Sequence, residues 1–314
     1  MKVLLTGATG FVGRVLASAL TKNPGVILTC AVRQSGSKAP GKIFIAGELD
    51  KKTDWSRALF GQDVVVHTAA RAHVVRDEVA DPLAEYRKVN VHGTLRLARQ
   101  AAEAGVRRFV FVSSIKVNGE QTQPNKPFTA EDAPAPEDDF GLSKLEAEKG
   151  LQELANETGL EVVIVRPPLV YGPGAKGNFA TLIKLVDKQL PLPLGTVDNM
   201  RSLVALGNLV DLILTCIVHP NAANQVFLVS DGEDISTSVL LRRVATAMDK
   251  PSRLIPVPAS LLQLGATLLG KKAVAQRLLS SLQVDIGSTR ERLDWVPPLS
   301  VDEGLSCCFE IHQD

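Results

Sequence analysis

The chain has 314 residues, 45% of them apolar, with 35 Lys and Arg against 34 Asp and Glu and a formal net charge of +1. That length and apolar share support a large core, in one domain with a lobe or in two domains. The even balance of charge excludes a global field that would recruit nucleic acid or membranes, so any anion site must be built locally.

The N-terminal MKVLLTGATG is too short in its apolar run and too rich in Gly for a signal peptide, and reads as a strand and turn. Short β-branched runs follow at VLL (3 to 5), VILTCAV (26 to 32), KIFIA (42 to 46), DVVVHTAA (63 to 70), RRFVFVSS (107 to 114) and LEVVIVRP (160 to 167). Helical patterns lie between them, among them Val12 to Thr21, Leu83 to Ala104 and Leu142 to Thr158. Near-continuous apolar strands are covered on both faces, which predicts an α/β fold of Rossmann type with a doubly wound parallel sheet. Past residue 172 the texture changes to Gly- and Pro-rich loops and mixed helices. A dinucleotide-binding domain over 1–171 and a smaller C-terminal substrate-binding lobe over 172–314, with some chain crossing back to the sheet, are expected. The run from Leu261 to Gly270 stops at Lys271 and Lys272 and is too short to span a membrane, so it reads as a packed helix. Cys30, Cys216, Cys307 and Cys308 lack metal-ligand spacing and read as reduced thiols of a cytoplasmic protein.

Gly7-Ala8-Thr9-Gly10-Phe11-Val12-Gly13 follows a strand at once and opens a helix. In that setting the glycines supply a tight turn and a close approach of backbone to a pyrophosphate, and the helix N-terminus supplies amides. About 20 positions further on, where an NAD enzyme carries an acidic residue for the ribose 2′-hydroxyl, stands Arg33, in a segment to Lys38 with no carboxylate. This favours NADP(H), with NAD(H) the alternative if Arg33 is a solvated surface charge. Glu48 and Leu49 follow the third strand where an adenine would rest, and Ala69 and Ala70 end the fourth with small side chains.

TGATGFVG, VVHTAA, NVHGTLRLARQA (90 to 101), FVSSIKVNG (111 to 119), FGLSKLEAE (140 to 148) and RPPLVYGPG (166 to 174) occur in order and at matching intervals. Together they resemble the extended short-chain dehydrogenase/reductase superfamily, in its nucleotide-sugar epimerase/dehydratase branch, and the likeness covers essentially the whole chain. Within the branch the nearest likeness is to C4 reductases that convert a UDP-4-keto-6-deoxy-N-acetylglucosamine into UDP-N-acetylquinovosamine for bacterial surface polysaccharide. UDP-sugar 4-epimerases come next.

The resemblance implies a Ser or Thr after the fifth strand and a Tyr-x-x-x-Lys at a helix start. Ser114, with Ser113 its neighbour, would hydrogen-bond the sugar O4. Lys144 would bind the nicotinamide ribose and lower the tyrosine's pKa, and Pro167 would line the dinucleotide site. The tyrosine position is Phe140. Three accounts fit: a Tyr-to-Phe form that keeps the ring and deletes the acid/base, a homologue that binds a nucleotide sugar without chemistry, or an enzyme that takes its proton from Ser114, water or Lys116. Tyr171 reads as a packing residue rather than a substitute base.

By the same resemblance Asn178 and Arg201 would contact the diphosphate of a UDP-sugar, with Arg290 a further candidate. Lys116 lies beside the sugar site, and Leu192 to Leu194 would wall the uracil. A salt bridge across the lobe is the competing role for Arg201. His67 and His92 read as structural, His219 and His312 as surface, and His73 as near the cleft. No metal constellation is expected, and relatives of this kind are usually homodimers through the helices at 83–104 and 142–158.

Overall fold

The computed structural model describes residues 1–72, 79–270 and 272–309. In chain order its first part comprises β1 (Lys2–Thr6), α1 (Phe11–Lys22), β2 (Ile27–Val32), β3 (Lys42–Ile45), α2 (Ser56–Leu59), β4 (Val64–His67), α3 (Pro82–Tyr86) and α4 (Thr94–Glu103). Then come β5 (Arg108–Val112), α5 (Asp139–Thr158), β6 (Glu161–Arg166), β7 (Leu169–Tyr171), α6 (Asn178–Asp187), β8 (Arg201–Ala205) and α7 (Leu206–Val218). The remainder is β9 (Gln225–Leu228), β10 (Asp234–Ile235), α8 (Thr237–Ala247), α9 (Ala259–Leu268), α10 (Lys272–Leu279), α11 (Gly287–Leu293) and α12 (Val301–Ser306).

Among the described residues seven strands form a parallel sheet in the order β3-β2-β1-β4-β5-β6-β9. Alternation along each strand explains its apolar run. Val3, Leu5, Val64, Val66, Val110, Val163 and Val165 face a cluster that includes Leu16 and Leu20 of α1 and Leu209 and Ile213 of α7. Leu4, Val65, Phe109, Phe111, Val162 and Ile164 face the opposite cluster, with Leu97 of α4 and Leu151 and Leu154 of α5. Each fully buried Val, Leu or Phe contributes about 1.5–3 kcal/mol, so a slip of one residue would put no polar face outward and gains nothing.

β10, β8 and β7 form a second, three-stranded sheet. A third apolar cluster gathers on it, from Tyr171, Phe179, Leu203, Leu241 and Leu305 among others.

Two expectations need correction. The pattern from Leu83 to Ala104 is not one regular α-helix, because a π-helical segment, Arg87–Gly93, separates α3 from α4. The helix over 261–270 exists as α9, but none of its residues is buried. Leu262 alone of its leucines lies against the third cluster, and the rest of its apolar surface is open.

Candidate active site

The chain runs outward from β1 in both directions, through β2 and then through β4, and the strand C-termini beside such a reversal are where ligands bind in open α/β sheets. The glycine loop sits there. Gly7 has φ +73°, and a methyl on it would stand 2.7 Å from Ala69 N. A methyl on Gly13 would stand 2.1 Å from the Gly7 carbonyl oxygen. The turn is closed by Gly10 N donating to Gly7 O at 2.8 Å. Gly10 is the N-cap of α1 and supplies no side-chain cap, which leaves the leading amides, beginning at half-buried Phe11 and Val12, for an anionic ligand. These residues fit a dinucleotide pyrophosphate.

Arg33 and Lys38 are exposed just past β2. Glu48 is exposed too, its carbonyl accepting from Thr53 Oγ1 at 2.7 Å. Leu49 is half-buried beside Gly93, where a methyl would stand 3.2 Å from the Leu49 carbonyl carbon. Ala69 is half-buried and Ala70 exposed at the end of β4.

The C-terminal end of β5 meets the first turns of α5. Asp138 starts that helix by accepting from Gly141 N at 2.7 Å, and Gly159, with φ +75°, stops it. Phe140 and Lys144 are therefore one turn apart on one face. Lys144 is only 2% exposed. Its Nζ donates to Val112 O at 2.8 Å and lies 4.2 Å from the centre of the Phe111 ring. Burial pushes its pKa down to about 7, against the pull of Glu148. Phe140 is half-buried, its ring edge-on to Tyr86 at 6.1 Å, and Arg71 Cζ lies 5.6 Å from the centre of the Tyr86 ring.

The alternation of β5 separates the two serines. Ser113 points to α5 and donates to Glu148 Oε1, whereas Ser114 is half-buried and its Oγ accepts from Lys116 N at 3.3 Å. Pro167 is buried, and its carbonyl accepts from Ile115 N at 3.0 Å, holding the Ser114 turn on the β6 edge. The Lys116 ammonium is paired with Asp138 and, at 2.6 Å, with Glu120. Burial opposes its charge, but the hydrogen bonds to these carboxylates hold its pKa above the ordinary lysine value, which makes it a poor proton source.

Several residues that hold this site went unread in the sequence. Asn90, buried in the π segment, accepts from Arg71 N at 2.8 Å and donates to Arg71 O at 3.1 Å and to Ser143 Oγ at 3.0 Å. Ser143 donates in turn to Phe140 O at 2.8 Å. Below them Arg166 and Glu148 form a buried ion pair at 2.5 Å, and Arg166 Nη1 donates to Asn118 Oδ1 at 2.9 Å. The available signal was a polar residue at an inward position of an apolar helix or strand, which a buried network must satisfy. His67, which the sequence reads as structural, is held in the same way. Its Nδ1 lies 2.7 Å from Thr6 Oγ1 and its Nε2 3.0 Å from Thr94 Oγ1, and burial, then the nearby Lys144, pushes its pKa down to about 3. His92 is exposed rather than packed. His73 and His312 lie outside the described residues.

Of the residues expected in the second lobe, Asn178 is exposed at the start of α6. Arg201 is partly buried and forms neither a salt bridge among the described ion pairs nor an open phosphate fork. Its Nη1 donates to Arg277 O at 3.0 Å and to Ser280 O at 2.9 Å, and burial lowers its pKa. Leu192 and Leu194 are buried in the third apolar cluster instead of forming an open wall. Arg290 is exposed and lies against Gly232, where a methyl would stand 2.6 Å from its Nη2. Tyr171 is wholly buried and donates to Asp231 Oδ2 at 2.7 Å; burial and then that carboxylate raise its pKa, so it packs and does not act as a base. No cluster of potential metal ligands occurs among the described residues.

A parallel sheet with a glycine cradle at its reversal, and a serine and a buried lysine at the end of the fifth strand, define an extended short-chain dehydrogenase/reductase enzyme. The chain belongs to the NAD dependent epimerase/dehydratase family, whose description matches residues 3–230. It is 54% identical over 304 residues, 96% of this chain and 93% of the relative, to a protein of Vibrio cholerae named UDP-glucose 4-epimerase. The fold is shared with the UDP-glucose 4-epimerase of Thermotoga maritima, solved with UDP-glucose (TM-score 0.78, 23% identity, 98% of this chain and 97% of that one). It is shared also with the UDP-glucuronic acid 4-epimerase of Bacillus cereus, solved with NAD (TM-score 0.79, 21% identity, 98% and 94%).

Proposed function

We propose that the chain is built as a UDP-hexose 4-epimerase in which Phe140 stands in place of the proton carrier, so that it binds dinucleotide and nucleotide sugar but turns over weakly. The observation that carries this reading is the 54% identity, over nearly the full length of both chains, to the protein named UDP-glucose 4-epimerase. A bound nicotinamide supplies the acceptor and donor of hydride at the sugar C4. In this reading Gly7, Gly10 and Gly13 admit the pyrophosphate, Lys144 holds the ribose, Ser114 hydrogen-bonds the sugar O4, and Asn178 contacts the diphosphate. Arg201 joins Asn178 only if a ligand draws it from the carbonyls it now serves.

Reduction of a 4-keto-6-deoxy sugar is the second reading, supported by the exposed Arg33 to Lys38 segment, which carries no carboxylate and suits the 2′-phosphate of NADP(H). Cofactor and reaction type are read together in one experiment. The protein and its Phe140→Tyr variant are incubated with UDP-glucose or UDP-N-acetylglucosamine and NAD⁺, and separately with a UDP-4-keto-6-deoxy sugar and NADPH. Interconversion of C4 epimers without net cofactor consumption supports the epimerase; NADPH oxidation tied to a keto sugar supports the reductase. If the Phe140→Tyr variant does neither while both ligands bind, a binding protein without chemistry replaces both. Homodimerisation through α4 and α5 belongs to this reading and is tested by light scattering.

A further inference from the structure

The apolar surface of α9 takes no part in the site described above. Leu261, Leu264 and Leu268 stand at i, i+3 and i+7 on one stripe, 57%, 58% and 79% exposed, and the stripe continues through Leu269 at 73% and Val274 of α10 at 52%. Ile255, just before α9, is 47% exposed. Single exposed leucines are ordinary, but a contiguous stripe marks a docking surface.

The charge of this segment of the sequence is one-sided. From 251 to 284 the sequence carries Arg253, Lys271, Lys272 and Arg277 and no Asp or Glu, a local charge of +4 in a chain whose net charge is +1. Arg253 and Arg277 are exposed in the structure. The face is also firmly attached: Leu192 N donates to Arg253 O at 2.9 Å, and Arg201 Nη1 to Arg277 O at 3.0 Å. A second copy placed on this face would bring the exposed Arg253 and Arg277 of both copies together, which like-charge repulsion opposes. Leucines on one side of a helix whose own segment carries cations and no carboxylate have the chemistry of a helix that lies in a lipid interface. No helix among the described residues is long and apolar enough to cross a membrane.

We propose that α9 and the start of α10 dock the protein on the surface of an anionic lipid bilayer, the leucines entering the acyl boundary and the arginines meeting lipid phosphates. The proposal does not depend on which sugar reaction the enzyme performs. Its test is cosedimentation of the full-length protein with vesicles of mixed phosphatidylglycerol and phosphatidylcholine, and with vesicles of phosphatidylcholine alone. The protein is expected to sediment with the first and not the second, and to release as salt is raised. Leu264→Glu with Leu268→Glu should lower the bound fraction more than tenfold with an unchanged thermal midpoint, and Leu264→Ser with Leu268→Ser should do the same without a new charge. Arg253→Gln and Arg277→Gln should each weaken binding about fivefold. The proposal is overturned if the protein stays in the supernatant with anionic vesicles, or if the leucine substitutions leave binding intact. It is overturned as well if those substitutions instead dissociate an oligomer, which would make a second copy the occupant.

Discussion

The rings of Phe140 and Tyr86 meet edge to face, with centroids 6.1 Å apart and planes at 64°. Phe140 is thereby held from the side of the π segment while its backbone carbonyl is held by Ser143. Adding one oxygen to a ring so constrained should not disturb the helix start. Phe140→Tyr is expected to raise turnover by about 10²- to 10⁴-fold, the usual contribution of a positioned acid or base, with little change in thermal midpoint. Product formation followed by NMR checks it, and an unchanged rate in a variant that binds both ligands would show that Phe140 is not the missing group.

Ser113 and Ser114 are neighbours with different partners, so their removal should separate stability from activity. Ser113→Ala removes one of the two donors to the buried Glu148 Oε1, leaving Arg166 Nε at 3.1 Å, and is expected to cost about 1–3 kcal/mol in urea unfolding, the usual worth of a hydrogen bond to a charged group. Ser114→Ala, made with Phe140→Tyr, should lower turnover and leave stability nearly unchanged. The reverse pattern would mean that Ser113 serves the substrate.

The Glu148 and Arg166 pair lies beneath both serine and lysine. Glu148→Ala strands a buried guanidinium and should destabilise the fold by about 3–5 kcal/mol. A loss below about 1 kcal/mol in denaturant unfolding would show that water already reaches the pair.

Gly13→Ala inserts a methyl 2.1 Å from a backbone carbonyl oxygen that has nowhere to move. Overpacking of this sort costs about 1–3 kcal/mol, and the shift of the loop should abolish dinucleotide binding measured by calorimetry. Retained binding at the original affinity would argue that the cradle is not where the pyrophosphate rests.

Two buried bases make stability depend on pH in the same direction. His67 titrates near 3 in the fold against an ordinary 6.5, so as pH falls below 6.5 the unfolded chain takes up the proton first and stability is lost down to about 3. Lys144 titrates near 7 in the fold against an ordinary 10.5, so the cost of burying its charge is full below 7 and is relieved as pH rises to 10.5. His67→Gln should flatten the thermal midpoint profile in the acid window and Lys144→Met in the alkaline one, measured without ligand. Profiles parallel to that of the parent chain would refute the assignment.

Much of the architecture was legible because it is written in short-range pattern. Apolar runs of four to six residues separated by helical stretches admit only strands covered on both faces, and Gly7 to Gly13 admit only a tight turn into a helix. Lys144 and the serine pair were singled out by the resemblance that FVSSIKVNG and FGLSKLEAE carry. What could not be read is what each polar side chain meets. Lys116 carries a positive charge in any reading, yet only the fold shows that its ammonium is paired with Glu120 and Asp138. Arg201 reads as a diphosphate contact, yet at the start of β8 its guanidinium serves carbonyls 76 and 79 residues away. α9 has the composition of a buried helix, yet none of its residues is buried.

The amino-acid sequence by itself determined the parallel, doubly wound character of the sheet and the chemical kinds of group at the strand ends, since periodicity and backbone freedom act between near neighbours; the order of its strands came from the structure. Which serine turns from the helix, how far Lys144 loses its charge, and which cations stay open to a ligand were decided by tertiary structure. Those outcomes depend on burial and on partners such as Ser113 and Glu148, 35 residues apart, and a low-dielectric surrounding exists only once the layers have closed.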